Sequence, residues 1–424
     1  MLINPVKSWE HEERHDHIHA WLKDLDRIED IQVSPDGEKV AALFVNEDDE
    51  TRICVNGTVW DRDYSRIWYP RFTPDNRLTA LAFDDEAWTL IVDDQPWESR
   101  FDYAWNPGFS RDGKNISLVF QSGGEYGMAL NDTAWETLYP GIGHVALSPD
   151  GTKTAATIQL ERINEGDIFT FQKGVFSLVF DGKVWDRRFV NVWDPTVSDD
   201  GRHAAAAVRL NLYDYTVAVD GTPWTDRYEC IWRPRFQPGT SHVVAPVRKN
   251  QGWTMVQNGE SYWKNTYFQL WHPEFSPDGS RLAAIVAPAF GTWSIAVDDK
   301  IWNLKQFDGI TGLTFSPDGR RIAAVGRRKG KHTLIYDGTS CGHFCDRVWP
   351  PVFSPDGRHL AAKIQIDGRY TILLNGTLWH ADYDTVWDPV FDETGEYLMI
   401  RALDHGFYHK HVVALETFMH QMVH

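Results

Sequence analysis

Short apolar runs alternate with turn-forming phrases along nearly the whole chain, and beyond the N-terminal region no stretch carries a 3.6-residue apolar stripe of helical length. One phrase recurs. Phe275-Ser276-Pro277-Asp278-Gly279, Phe315-Ser316-Pro317-Asp318-Gly319 and Phe353-Ser354-Pro355-Asp356-Gly357 are identical, and an Ala-Ala pair follows each. Looser copies begin at Val33, Phe72, Phe109, Leu147, Val197, Phe236 and Phe391, which makes ten repeats spaced roughly 40 residues apart. One interval is longer, between Gly151 and Gly201.

Within a repeat, Ser-Pro-Asp-Gly is tight-turn chemistry: Pro presets φ, Asp bonds its own backbone, and Gly accepts positive φ. The run before it alternates, as in Trp271, Pro273 and Phe275, and the run after it is continuously apolar, as in Leu282-Ala283-Ala284-Ile285-Val286. A third run ends in Asn-Gly or Asp-Gly, as at Asn56-Gly57, Asp181-Gly182, Asp220-Gly221, Asp337-Gly338 and Asn375-Gly376; such dipeptides favour two-residue hairpin turns and place a fourth strand directly after. Four short strands per repeat predict an all-β fold, a β-propeller of about ten four-stranded blades in a single domain spanning residues 1–424. The tenth unit lacks a Trp-bearing fourth strand, whereas residues 6–9 resemble Lys183-Val184-Trp185. The pattern therefore predicts a closing strand in residues 1–9 that pairs beside residues 412–415, then a helix over 10–28, ten repeats over 29–415 and a tail over 416–424. The expected arrangement is one ten-bladed ring closed by that N-terminal strand, with two five-bladed rings as the alternative.

Composition adds three constraints. The 20 tryptophans are far above the usual share, and most are periodic: one follows the second turn, as at Trp60, Trp97 and Trp185, and another lies eight residues later, as at Trp68, Trp105 and Trp193. Periodicity assigns them first to packing, since each buries on the order of 150–250 Å². A formal net charge of −18 disfavours nucleic acid and anionic membrane surfaces and favours a basic partner. The first residues lack a charged-then-apolar leader, no apolar run is long enough to span a bilayer, and four cysteines are too few for a disulfide framework, so a cytoplasmic location is expected.

Candidate chemistry is sparse. Cys341 and Cys345 have three residues between them and no His afterwards, which excludes the covalent haem motif; they replace the Trp and aromatic of other repeats, and as metal ligands they are weak candidates. His11, His15 and His19 fall at i, i+4 and i+8 of the expected helix, a second weak metal candidate against a solvated polar face. No nucleophile elbow, phosphate loop or dinucleotide fingerprint occurs, so no catalytic residue and no cofactor are assigned. The alternative to a non-enzymatic protein is a propeller enzyme or metal-dependent small-molecule binder with its site at the central channel.

The Phe-Ser-Pro-Asp-Gly phrase with its Ala-Ala pair resembles the WD40-like repeats of translocation propellers and of some peptidase propeller domains. The Asn4-Pro5 start, the paired tryptophans and the repeat count also look similar to the tryptophan-rich subunit family of the Tmc transmembrane redox complex of sulfate-reducing bacteria. That resemblance implies an accessory cytoplasmic subunit, peripheral to the inner membrane through its partners, that acts as a protein-interaction scaffold in an electron-transfer complex. The long repeat carries its extra length in residues 160–175, which mix charge with Phe169 and Phe171 and are expected to project as an extended hairpin or loop for partner binding. Deleting that segment should weaken association while leaving the melting temperature nearly unchanged; a large loss of folding in a thermal melt would contradict the assignment.

Overall fold

The computed structural model describes residues 14–16, 18–23, 25, 27–164, 166–304 and 307–416. They form ten antiparallel sheets in the repeat order first–second–third–fourth strand, the all-β, ten-bladed propeller that the repeats predict. The chain divides into two compact units: Met1–Phe44, Cys54–Val59 and Tyr267–His424 in one, Val45–Ile53 and Trp60–Thr266 in the other.

Each sheet is built the same way. The second and third strands, such as Leu282–Ala289 and Thr292–Val297, are buried along most of their length and supply the core. In the second, third, fifth and seventh sheets the first strand breaks at a Trp-x-Pro phrase, because Pro has no N–H for the ladder and the residue before it takes positive φ: Tyr69 at 55°, Asn106 at 54°, Asp194 at 50° and His272 at 52°. In the eighth sheet Gly312, at φ 62°, makes the same bulge without proline.

The turn before the fourth strand does more than reverse the chain. Its first residue sits at positive φ and its side-chain oxygen accepts the N–H that opens the second strand: Asn56 from Val40, Asp93 from Leu78, Asn131 from Ile116, Asp220 from Ala204, Asn258 from Val243, Asp298 from Leu282, Asp337 from Ile322 and Asn375 from Leu360, all at 2.8–3.0 Å. The glycine that follows leaves its face bare for the tryptophan after the preceding sheet. A Cβ on Gly221 would lie 3.3 Å from Trp185, on Gly338 3.4 Å from Trp302, and on Gly259 3.5 Å from Trp224.

The N-terminus does join the last sheet, but by a different segment and with less helix than the sequence pattern suggests. Arg14–Asp16 pairs with the strand Phe407–Ala414, with Arg14, His15 and Asp16 opposite Lys410, His409 and Tyr408. The only N-terminal helix among the described residues is α1, His19–Leu22, so the expected helix over 10–28 is cut to one turn; residues 1–9 lie outside the described residues. The exposed ladder of the last strand needed a partner, and satisfying it outweighs the local helical preference of the segment. Ile18 and Leu22 bury against Val33, Val40, Ala42 and Tyr408. Trp21 takes the tryptophan seat on Gly57, the role expected of Trp9. Beneath them, buried Arg401 donates to the Ser34 and Asp388 carbonyls at 2.6 Å each, and the Tyr408 hydroxyl donates to the Gly37 carbonyl at 2.9 Å.

Two expectations follow. Removing residues 1–22 deletes two buried aliphatic side chains, worth roughly 4–8 kcal/mol together, and should lower the melting temperature by on the order of 10 °C; an unchanged thermal melt would contradict this closure. The Ser-Pro-Asp-Gly carboxylates are held below their ordinary 3.8, first by the preceding serine hydroxyl and then by backbone N–H groups, in Asp112, Asp150, Asp200, Asp318 and Asp278, the last pulled down to about 2. A lowered folded value gives stability that is present above pH 3.8 and lost as the pH falls toward 2. The melting temperature should therefore drop between pH 4 and 2, and more shallowly in an Asp278→Asn, Asp318→Asn double variant; an equal slope in both proteins would contradict the assignment.

Candidate functional site

The inserted segment of the fourth sheet is not an extended hairpin. It contains the short helix α2, Ile168–Lys173, started by Asp167, whose side chain accepts the Thr170 N–H at 3.0 Å, and ended at Gly174, φ 90°. An Asp-x-x-Thr cap beside the apolar Ile168-Phe169 pair suffices for one helical turn. Phe169 is 79% exposed, whereas Phe171 turns inward and meets Phe176 edge-on at 6.5 Å. Only the first of the two expected contact residues is fully presented.

A larger aromatic surface lies on the second and third sheets. Tryptophans of the first-strand segment pack on aromatics of the third strand of their own sheet: Trp232 stacks on Trp253 at 5.3 Å and Trp271 on Trp293 at 4.9 Å, Trp68 meets Trp88 tilted at 4.5 Å, and Trp105 meets Tyr126 and Trp193 meets Tyr215 edge-on at 6.1 and 5.8 Å. Between the second and third sheets these pairs fuse, because Tyr103 touches both Trp88 at 5.8 Å and Trp105 at 5.6 Å. Trp68, Trp88, Tyr103, Trp105 and Tyr126 thus form one connected cluster, and Phe83 adds to it at 5.3 Å from Trp88. Trp68 is 37% exposed, Tyr103 42% and neighbouring Tyr69 56%. Their packing holds the rings rigidly while their edges remain open to solvent. The assignment of periodic tryptophans to packing fits buried Trp97, Trp185, Trp224 and Trp263, but Trp68, Trp232 and Trp271 are among the exposed large hydrophobics. The signal that could have separated them is the Trp-x-Pro phrase: the bulge it makes tilts that strand end out of the ladder.

Of the candidate metal ligands, the described residues bring only Cys341 and Cys345 near one another. His11 lies outside the described residues; His15 stands in the N-terminal strand and His19 in α1, so the helical stripe they needed does not form. Cys345 is buried with Leu334, Phe353 and Leu373, and burial first, then the nearby Cys341, pushes its thiol up to about 11, which disfavours the thiolate a metal requires. Cys341 is half-buried beside the Thr333 hydroxyl, 3.4 Å away, and all four cysteines are free. One other group could hold an ion among the described residues: Asp384, Asp404 and His405, with donor atoms within 4.8 Å of one another. It has a structural explanation. Asp384 accepts the His405 N–H as Asp102 accepts Gly123, Asp308 accepts Lys329 and Asp346 accepts Asp367, a repeated cap on the turn between second and third strands, and Arg369 already neutralises Asp384 and Asp404. No helix among the described residues is long and apolar enough to cross a membrane.

No family model matches the chain, and no curated protein matches its sequence. Among solved structures it is similar to one described as a crystal structure of the eukaryotic initiation factor, at 13% identity and a TM-score of 0.48 over 77% of this chain and 93% of that one. It is also similar to the Dos1 propeller, at 11% identity and a TM-score of 0.33 over 91% and 92%.

Proposed function

We propose that this chain is a non-catalytic protein-interaction scaffold whose main contact surface is the aromatic cluster on its second and third sheets. The observation that carries this reading is the coexistence of ring packing and exposure in Trp68 and Tyr103, with exposed Tyr69 beside them. Tryptophan and tyrosine dominate binding energy at interfaces because a held ring offers large apolar area at little entropic cost, with a polar edge for the rim. Phe169 on α2 is a secondary contact on the same unit. With a net charge of −18, the partner is a protein that presents basic residues around an apolar centre. The resemblance to the tryptophan-rich subunits of membrane redox complexes makes the cytoplasmic parts of such an electron-transfer complex the first partners to examine, with the scaffold carrying no cofactor of its own.

Purification from native membranes at physiological salt should recover the wild-type chain with a stoichiometric partner. A Trp68→Ser, Tyr103→Ser double variant should keep its melting temperature within a few degrees and lose that partner by at least tenfold, in line with roughly 1–2 kcal/mol per truncated hot-spot ring. Recovery of the wild type only as a free monomer, or equal partner retention by the variant, would overturn the reading.

A further inference from the structure

The repeat leaves one seat empty in a way that makes a binding site. At four junctions an indole lies against the bare glycine of the next sheet's turn: Trp21 on Gly57, Trp185 on Gly221, Trp224 on Gly259 and Trp302 on Gly338. After the eighth sheet the seat holds Cys341. A Cβ on Gly376 would meet only the Cys341 Cβ, at 3.7 Å, where Gly338 meets three atoms of the Trp302 ring system from 3.4 Å outward. Sulfur fills far less of the wedge than an indole, and a cavity of about 480 Å³ opens there, within the range of small-molecule sites. Leu334 and Leu360 supply apolar wall, Cys341 and Gly376 the floor, and Arg321, Arg358 and His359 also line it.

The polar lining has a definite sign. No carboxylate lines this cavity, whereas two arginines do. Arg321 lies over the Tyr336 ring at 5.1 Å and pairs with Asp337 at 3.4 Å, and Arg358 pairs with Asp356 at 3.3 Å, so each guanidinium has one carboxylate partner and keeps further N–H donors for a ligand. The His359 tautomer is fixed by its neighbours. The Asn375 side-chain oxygen accepts the Leu360 N–H at 2.9 Å, so its amide nitrogen faces His359 Nδ1 at 2.8 Å and donates to it. His359 is then neutral, with Nε2–H as a further donor. A second cavity of about 520 Å³ occurs at the same wedge after the third sheet, where Trp135 turns edge-on to Tyr139 at 6.3 Å and a Cβ on Gly182 would meet nothing. Glu136 and Asp181 line that one, and no Lys or Arg does. An open wedge thus recurs where no indole meets the glycine, but only the one at Cys341 is lined by arginines and free of carboxylates.

We propose that the Cys341 wedge binds a small planar aromatic carboxylate, with its ring against the Gly376 face where four other junctions place an indole and its carboxylate at Arg321 and Arg358. This site is independent of the aromatic docking surface and adds a ligand to the scaffold. Calorimetric titration of the full chain with indole-3-propionate, indole and tryptamine tests it, alongside iodoacetamide labelling of Cys341 read by peptide mass spectrometry. Indole-3-propionate should bind saturably with a dissociation constant on the order of 0.1–1 mM, as its size allows, with tryptamine at least tenfold weaker. At saturation it should slow Cys341 labelling several-fold. An Arg321→Gln, Arg358→Gln variant should lose at least tenfold in affinity, and Cys341→Trp, which refills the seat, should abolish binding. If Cys341→Trp does not fold, the arginine variant decides. Absence of saturable binding to about 5 mM, equal affinity for tryptamine, unchanged affinity in the arginine variant, or binding retained by folded Cys341→Trp would each overturn the proposal.

Discussion

The contact between a tryptophan and the bare glycine face of the next sheet's turn, made at Gly57, Gly221, Gly259 and Gly338, is the constraint on which the packing of those sheets depends. A sheet cannot bury its outer strand by itself, and the indole after Lys183–Val184 or Thr222–Pro223 does so by lying on Gly221 or Gly259 of its successor. The glycine is favoured by its backbone, with φ 80° at Gly221 and 88° at Gly259, where a side chain is strained, and at Gly221 a Cβ would also sit tightly against Trp185, at 3.3 Å. The residue before it completes the device by fixing the second strand through its side-chain oxygen. One Asx-Gly dipeptide therefore sets the hairpin, anchors the neighbouring strand and receives the preceding repeat. Where aspartate replaces the glycine, at Asp94, Asp132 and Asp299, the contact becomes polar, and the carboxylate accepts from the N–H of Asp61, from those of Glu98 and Ser99, or from the Tyr267 hydroxyl.

The same logic explains the chain's beginning. The last strand, Phe407–Ala414, would otherwise present an open edge, and Gly57 would otherwise lack its indole. A three-residue strand and a one-turn helix answer both needs, with Trp21 as the substitute ring and Ile18 and Leu22 as apolar fill. Buried Arg401 and Tyr408 tie the last sheet to Ser34 and Gly37 in the first Ser-Pro-Asp-Gly turn.

Much of this was legible because it is local. The Ser-Pro-Asp-Gly and Asx-Gly phrases each carry their own conformational demand, and their spacing alone counts the strands. What was not legible depends on contacts between repeats or on competition between local and distant pairing. Residues 14–22 read as helix because their apolar positions suit one, yet Arg14–Asp16 is taken up by a strand edge nearly 400 residues away in sequence. Cys341 was visible as a substitution, but the cavity it leaves appears only when Gly376 is brought opposite. The tryptophans at 68 and 97 hold different positions in the repeat, and periodicity assigns both to packing; the first is partly exposed at its proline bulge while the second is buried.

The seat itself is most directly tested by a double-mutant cycle between Trp185 and Gly221, with each variant's stability taken from urea unfolding. Trp185→Ala should cost about 3–5 kcal/mol, and Gly221→Ala should cost less in the Trp185→Ala background than in the wild type, with a coupling of about 1 kcal/mol because the added methyl then meets no indole. A coupling of zero, with the two costs simply adding, would show that the sheets are held together by some other contact.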